Sequence, residues 1–303
     1  MNGLKTGLKP VLWSFVALLL LLSIAVPLLN VLLIMFMMVP FVVLYAILPR
    51  TSFAIHLIVP FALATWLIGL PVLIVGLFFV LPSIAMGMMY KMKSRASSVI
   101  RTVSIVVLAQ LMLLLLISET MLDTSIIGEM SSMIRSTVTD LTTQGLLPEE
   151  WNSDTTEIMI RTIVNAIPLT FMLTSVLYAI ITHYLARRIV NRSGLEVPAF
   201  PKAKDWRLPR MLVFLYLLAY VMQMFTSAAS ESYIAVALTN LVPLLGYVFS
   251  IQTIGFFFYL AYHRKWNGAV PILIAIPVLL FPPLCLIGLL DTAFPIRKSF
   301  VKS

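Results

Sequence analysis

The 38 residues from Val11 to Leu48 contain no Asp, Glu, Lys or Arg, and neither do the 38 from Phe53 to Tyr90. A helix needs about 20 apolar residues to cross a hydrocarbon core about 30 Å thick, so each run is long enough for two crossings. The whole chain is 61% hydrophobic and 11% charged, with a mean hydropathy of +1.04. A soluble domain carries about 25% charged residues, and no water-surrounded core could take up this much apolar surface. The runs are continuous rather than alternating, and lipid offers no partner to a free backbone N–H or C=O. Helices are therefore expected rather than a barrel. The fold class that follows is all-α, a polytopic integral membrane helical bundle of about eight or nine transmembrane segments in a single domain over 1–303.

Pro27 and Asn30 divide the first run into spans at about 11–29 and 31–48; Gly69 and Pro71 divide the second. Lys5 and Lys9 before the first run give it the look of a secretory signal. Its length and the lack of a small-residue cleavage site make it a retained span instead. Lys91, Lys93, Arg95 and Arg101 form a basic loop, and Ile100–Ser118 crosses again. Residues 119–157 then hold eight of the twelve acidic residues (Glu119, Asp123, Glu129, Asp140, Glu149, Glu150, Asp154 and Glu157) against one basic residue, Arg135. By the positive-inside rule this segment is extracytoplasmic. Its apolar positions Ile126, Ile127, Met130, Met133, Ile134, Val138 and Leu141 recur at helical spacing, which predicts an amphipathic helix on the membrane surface or on the bundle. Asp154 and Glu157 form a capping pattern from which the sixth span starts, ending near Tyr184.

The stretch 186–207 that follows is basic and Pro-rich, carrying Arg187, Arg188, Arg192, Lys202, Lys204 and Arg207 together with Pro198 and Pro201. It is expected in the cytoplasm, with the N-terminus on the same side. Spans at about 208–228 and 233–262 come next, with a turn at Glu231. The last run, 270–290, contains Pro271, Pro277, Pro282 and Pro283. It reads either as a ninth full crossing or, with Arg297, Lys298 and Lys302 drawing the tail inside, as a re-entrant piece after eight crossings. The net charge of +9 sits in short loops beside spans, so it sets orientation and does not point to nucleic acid.

Motifs of catalysis are missing. There is no Gly-rich loop ending in Gly-Lys-Ser/Thr, no His-Glu-x-x-His, no Cys-x-x-Cys and no Gly-x-Ser-x-Gly elbow. His56, His183 and His263 stand apart, and the single cysteine, Cys285, lies within an apolar run. The chain is read as a non-enzyme without cofactor or metal. Met35, Met37 and Met38, with Met86, Met88, Met89 and Met92, are read as packing residues. Ser83 and Gly87 make a small-xxx-small pair that lets another helix approach closely. The informative side chains are neutral polar groups inside spans: Gln110, Gln223, Asn240 and Gln252, with Tyr247 and Ser250 nearby. Interhelical hydrogen bonding is their ordinary use; contact with a neutral small molecule is the other. Glu119, Glu231 and Asp291 all fall at predicted span ends, which argues against a proton relay.

Three stretches carry a resemblance: Arg187–Pro209 (R-R-I-V-N-R-S-G-L-E-V-P-A-F-P-K-A-K-D-W-R-L-P), Gln252 followed by Gly255 and aromatics, and L-I-G-L-L-D-T-A-F-P-I-R-K at the end. Together they resemble the YybS-like family of bacterial membrane proteins of unknown function, found chiefly in Firmicutes. That family is similar in architecture to the S-components of energy-coupling-factor vitamin transporters and, more distantly, to the rod-shape protein MreD. The resemblance implies a multi-pass protein of the bacterial cytoplasmic membrane with an S-component-like bundle. S-components dock through Ala-x-x-x-Ala on the first helix; here Leu21 stands between Ala17 and Ala25, and the docking pattern is absent.

Two functions are expected. In the first, the bundle binds or transports a small molecule through Gln110, Gln223, Asn240 and Gln252. In the second, a non-catalytic scaffold of an envelope-associated complex grips a membrane protein partner or lipid through Arg187, Arg188, Trp206 and Arg207. Arg297 is expected either to pair with Asp291 at the end of the last segment or to snorkel to the interface. The bilayer is a partner under either function.

Overall fold

In a computed structural model, which describes residues 3–120, 125–148, 150–226 and 232–300, the chain is helical throughout, with no strand among those residues. In order the helices are α1 (Gly3–Leu22), α2 (Pro27–Leu33), α3 (Met38–Ile47), α4 (Arg50–Ile68), α5 (Leu70–Lys91), α6 (Ala96–Thr120), α7 (Ile126–Thr143), α8 (Ser153–Asn165) and α9 (Ile167–Asn191). They continue with α10 (Met211–Met224), α11 (Tyr233–His263), α12 (Ala269–Leu280), α13 (Cys285–Ala293) and α14 (Ile296–Phe300). Among the described residues, seven stretches are long and apolar enough to cross a membrane: Gly7–Ala25, Pro27–Ile47, Arg50–Ile68, Leu70–Lys91, Ala96–Thr120, Ile167–Asn191 and Tyr233–His263. With the shorter apolar helices at 211–224, 269–280 and 282–293, the protein is an all-α polytopic membrane bundle. Asp123, Glu149, Glu231 and Lys302, and the side chain of Lys5, lie outside the described residues.

Breaks fall where the backbone chemistry requires them. Gly69 has φ +105°, a conformation that a Cβ would strain, and Pro71 in the first turn of α5 needs no N–H partner there. The first run breaks at Val26, whose extended backbone precedes Pro27. That is four residues ahead of Asn30, which is helical. The last run is broken as its prolines suggest: α12 ends at Leu280, Phe281 is extended, a 3-10 turn covers Pro282–Leu284, and α13 begins at Cys285. At 1.5 Å per residue the 12-residue α12 rises about 18 Å and the 9-residue α13 about 14 Å, so neither crosses a 30 Å core alone.

Two boundaries differ from the sequence expectation. The sixth span begins at Ile167, not near Asp154, because the chain bends at Ala166 and residues 153–165 form the separate, amphipathic α8. The cap of α8 is Asn152, whose Oδ1 accepts from the Thr155 N–H at 2.8 Å. Glu157 instead takes both Nε and Nη2 of Arg135 on α7, at 2.7 and 3.0 Å. The stretch 186–207 likewise begins inside a helix, since α9 runs on to Asn191 and carries Arg187 and Arg188.

Hydrogen bonding to Arg135 holds the Glu157 carboxyl below its ordinary range. A depressed folded value means that the link between α7 and α8 contributes fully above the ordinary carboxylate pKa and is lost as pH falls through the lowered one. Protection of the α8 amides from hydrogen exchange should therefore decline on acidification through that window. In Arg135→Gln the acid-dependent part of that protection should be absent, while the part owed to the Asn152 cap and to Asn165 O bonded by Asn240 stays; a wild-type acid profile in that variant would show that the ion pair is not its source.

The chain divides into two compact units, Met1–Ile126 with Phe171–Phe200, and Ile127–Thr170 with Pro201–Ser303. In the first, α3 packs between α1 and α5, and α5 also meets α4 and α6. Its core runs through Ala17, Leu21, Phe41, Ala64, Phe79, Met86, Val99, Val103 and Ala179. Ser83 and Gly87 bring α5 close to α3, as their spacing suggests: Ser83 Oγ donates to Met38 O at 3.2 Å. A Cβ on Gly87 would stand 2.6 Å from the Tyr45 ring. The outer faces stay apolar, with Trp66 81% exposed beside Ile58 and Leu67. In water that would be an aggregation surface; in a bilayer it is the lipid-facing side. Met37, Met38 and Met86 are fully buried, while Met88 and Met92 face outward, so the methionines serve packing on different faces.

In the second unit α11 is central. It contacts α8, α10, α12, α13, α14 and the turn at Ala203–Asp205.

Candidate functional site

The four amide side chains singled out from the sequence occupy separate places. Gln110 belongs to the first unit, where its Nε2 donates to Phe78 O on α5 at 2.9 Å. Gln223 is half-buried in the last turn of α10. Asn240 and Gln252 are both buried on α11 but, 12 residues apart, are separated by about 18 Å along the helix.

Asn240 has a defined structural task. A helix end leaves N–H and C=O groups unpaired, and the bend at Ala166 creates one end of each kind. Asn240 Oδ1 accepts from the Leu169 N–H at 2.8 Å, and its Nδ2 donates to Asn165 O at 2.8 Å and to Val236 O at 2.7 Å. One side chain thereby caps the end of α8 and the start of α9.

Gln252 belongs to a buried charged network. Its Nε2 donates to Asp291 Oδ2 at 2.6 Å and to Trp206 O at 3.3 Å. Asp291 and Arg297 pair, with Nη2 to Oδ2 at 2.6 Å and Nε to Oδ1 at 2.9 Å, and their side chains are 1% and 4% exposed. Two further guanidinium protons reach the main chain: Nη1 to Lys204 O at 2.8 Å and Nη2 to Trp206 O at 3.0 Å. Arg297 thus fastens the 203–206 turn to α11 and α13. The turn is seated on Gly255, where an added Cβ would lie 3.0 Å from Ala203 O. The Trp206 indole donates to Pro201 O at 2.9 Å. Of the other residues assigned to this stretch, Arg187 donates to Val197 O at 2.9 Å, Arg188 reaches the Tyr184 hydroxyl at 3.2 Å, and Arg207 is exposed.

His183 is buried in the first unit, its Nδ1 3.0 Å from the Tyr90 hydroxyl.

A cavity of about 530 Å³ in the second unit lies among α10, α11, α13 and the Pro282–Pro283 turn. Three helices supply its polar groups. Tyr216 and Tyr220, one turn apart, come from α10; Tyr247 and Ser250 come from the α11 face that also bears Gly246; and Cys285 opens α13. The Tyr216 hydroxyl lies 3.9 Å from Cys285 Sγ, and its ring stands edge-on to Phe249 at 5.4 Å. The other lining groups, including Leu217, Leu279, Leu286 and Leu289, are apolar, and no lining side chain is charged. The size falls within the usual 300–1,000 Å³ of small-molecule sites, and so does the lining, apolar with a few hydroxyls. Chemically the cavity can hold an uncharged, mainly apolar molecule and orient it by hydrogen bonds. Tyr247 and Ser250 were visible in the sequence beside Asn240 and Gln252. Tyr216 and Tyr220 were missed, although phenols four residues apart in an apolar helix share a face.

Residues 14–292 match the family described as predicted membrane protein (DUF2232). The chain is also 21% identical over 238 residues to the uncharacterized protein YybS of Bacillus subtilis (strain 168), covering 75% of this chain and 76% of that one. No solved structure matches. The chain belongs to the DUF2232 family of membrane proteins, in keeping with its resemblance to YybS.

Proposed function

We propose that this member of the DUF2232 family is a non-catalytic, multi-pass protein of the bacterial cytoplasmic membrane that binds an uncharged, mainly apolar small molecule in the cavity among α10, α11 and α13. The observation that carries the reading is the cavity itself: about 530 Å³, with three phenols, a hydroxyl and a thiol set in apolar walls. Orientation follows the charge asymmetry, with the N-terminus and 186–207 in the cytoplasm and the acidic 119–157 outside. The proline break at the cavity wall favours transport over permanent storage, because a segment broken at Pro282–Pro283 can move without disrupting a continuous helix.

Gly246 provides the test. It lines the cavity, and a Cβ built on it meets no atom within 4 Å. Gly246→Leu should therefore fill the cavity without disturbing the fold. Native mass spectrometry of the protein released gently from its own membrane should show a reproducible small-molecule adduct in the wild type. In Gly246→Leu that adduct should fall at least tenfold at an unchanged melting temperature. Equal adducts in both proteins, or none in either, would remove the cavity from consideration as the binding site.

A further inference from the structure

Beside the buried Asp291–Arg297 pair lies a second crevice of about 150 Å³, well above the roughly 10–15 Å³ that one water centre needs. Arg207 and Arg210 line it from the segment leading into α10, Lys298 from α14, and Gln252, Asp291 and Arg297 form its inner wall. The single carboxylate is already engaged, since Asp291 receives Gln252 Nε2 and the Arg297 guanidinium. Arg207, Arg210 and Lys298 have no ion-pair partner among the described residues. The crevice therefore presents three unneutralised cations around an internally satisfied pair. That arrangement attracts an anion and has no free carboxylate to offer a cation.

Its level along the unit is set by aromatic neighbours. Lys204 Nζ stands 3.7 Å over the Tyr262 ring and the Arg297 guanidinium 4.9 Å over Tyr259, with Trp206 in the same turn. Tyrosine and tryptophan with cationic side chains mark the headgroup level of a bilayer. Two arginines lining one crevice suit the tetrahedral oxygens of a phosphate, which guanidinium groups grip with paired N–H bonds.

We propose that this crevice is an anion site that takes a phosphate group, carried by a lipid headgroup or free in solution. It is separate from the cavity at Gly246 and stands or falls without it. The test uses the full-length protein in detergent, titrated with phosphatidylglycerol, phosphatidylcholine or inorganic phosphate and read by native mass spectrometry. Phosphatidylglycerol or inorganic phosphate should bind in preference to phosphatidylcholine. Arg207→Gln with Arg210→Gln should weaken that binding at least tenfold, and Lys298→Gln should weaken it less. Both arginines are exposed, so the melting temperature without ligand should not change. Arg188→Gln, an exposed cation on α9 outside the crevice, should leave binding as it is. Displacement of phosphatidylglycerol by inorganic phosphate would identify the phosphate group alone as the ligand; retention against it would identify the lipid. Binding indifferent to the arginine pair, or reduced equally by Arg188→Gln, would overturn the site in favour of diffuse attraction to a basic surface.

Discussion

Asp291→Ala should lower the melting temperature of the purified protein by on the order of 10 °C. The carboxylate and its partner Arg297 are 1% and 4% exposed. Removing one member of such a pair leaves the other charged and out of contact with water, at a cost of about 3–5 kcal/mol; for a chain of this size each kcal/mol moves the midpoint by about 2–4 °C. Three hydrogen bonds from Arg297 and one from Gln252 end on this carboxylate, so the loss also loosens what Arg297 holds. Proteolysis should then cut the 203–206 turn faster than in the wild type, because the bonds from Arg297 to Lys204 O and Trp206 O lose the group that aims them. A double replacement separates charge from packing. Asp291→Leu with Arg297→Met leaves no buried charge and should recover most of the melting temperature while the turn stays susceptible. If Asp291→Ala melted like the wild type, the pair would have to be hydrated in the membrane protein, and its structural role would be lost.

The elements that were legible in the sequence are those dictated by single-residue chemistry. Apolar runs must be helices in lipid, whatever surrounds them. Gly69 next to Pro71 must break a run, and Pro282–Pro283 must interrupt the last one. The close approach of α3 to Ser83 and Gly87 followed from size alone. The boundaries that were misread depend on the partner of a side chain. Asp154 and Glu157 have the spacing of a cap, but Asn152, two residues earlier, is the residue whose oxygen reaches a free N–H. Glu157 is drawn away by Arg135, 22 residues back. The bend at Ala166 is followed by Pro168, which sits in the first turn of α9 as a proline at a helix start does, but the residue that completes it is Asn240, from a helix more than 70 residues further on.

The same distinction applies to the sites. Choosing intramembrane amides found groups that matter, and the structure gives three of them backbone or carboxylate partners of their own: Gln110 with Phe78 O, Asn240 with Leu169 and Asn165, and Gln252 with Asp291 and Trp206 O. Asn240, with its oxygen and its nitrogen both engaged, contributes to assembly and has little left to offer a ligand, whereas Gln110 keeps a buried Oε1 with no partner among the described residues. The cavity groups are hydroxyls and a thiol contributed by α10, α11 and α13, up to 69 residues apart in the case of Tyr216 and Cys285. No periodicity within one helix encloses such a space.

Two helical glycines of the second unit should respond to alanine with opposite sign. Gly246→Ala removes the conformational cost of glycine in a helix, about 1 kcal/mol, and its new Cβ meets no atom within 4 Å; the protein should melt at the same temperature or slightly higher. Gly288→Ala gains the same helix term and loses more. Its Cβ would collide with Phe249 O and come within 2.7 Å of the Thr253 N–H and 2.8 Å of its Oγ1. The first two are main-chain atoms of α11 and cannot turn aside as a side-chain tip can. The helices must separate, and with them goes the bond network at the contact. The Gly288 N–H donates to Thr253 Oγ1 at 2.8 Å, and that hydroxyl lies 3.0 Å from both Phe249 O and Leu284 O. Overpacking costs about 1–3 kcal/mol, at the upper end where backbone must move, and an unpaired buried N–H costs about 1–3 kcal/mol more. The net expectation for Gly288→Ala is a loss of about 3 kcal/mol, measured as a lower melting temperature in the same detergent. Because α13 carries Cys285 at the cavity and Asp291 at the network, its displacement should also weaken the small-molecule adduct, which Gly246→Ala should disturb far less than Gly246→Leu. A neutral Gly288→Ala would mean that α11 and α13 do not touch at this point, and neither the cavity nor the ion pair would then have the wall that α13 provides.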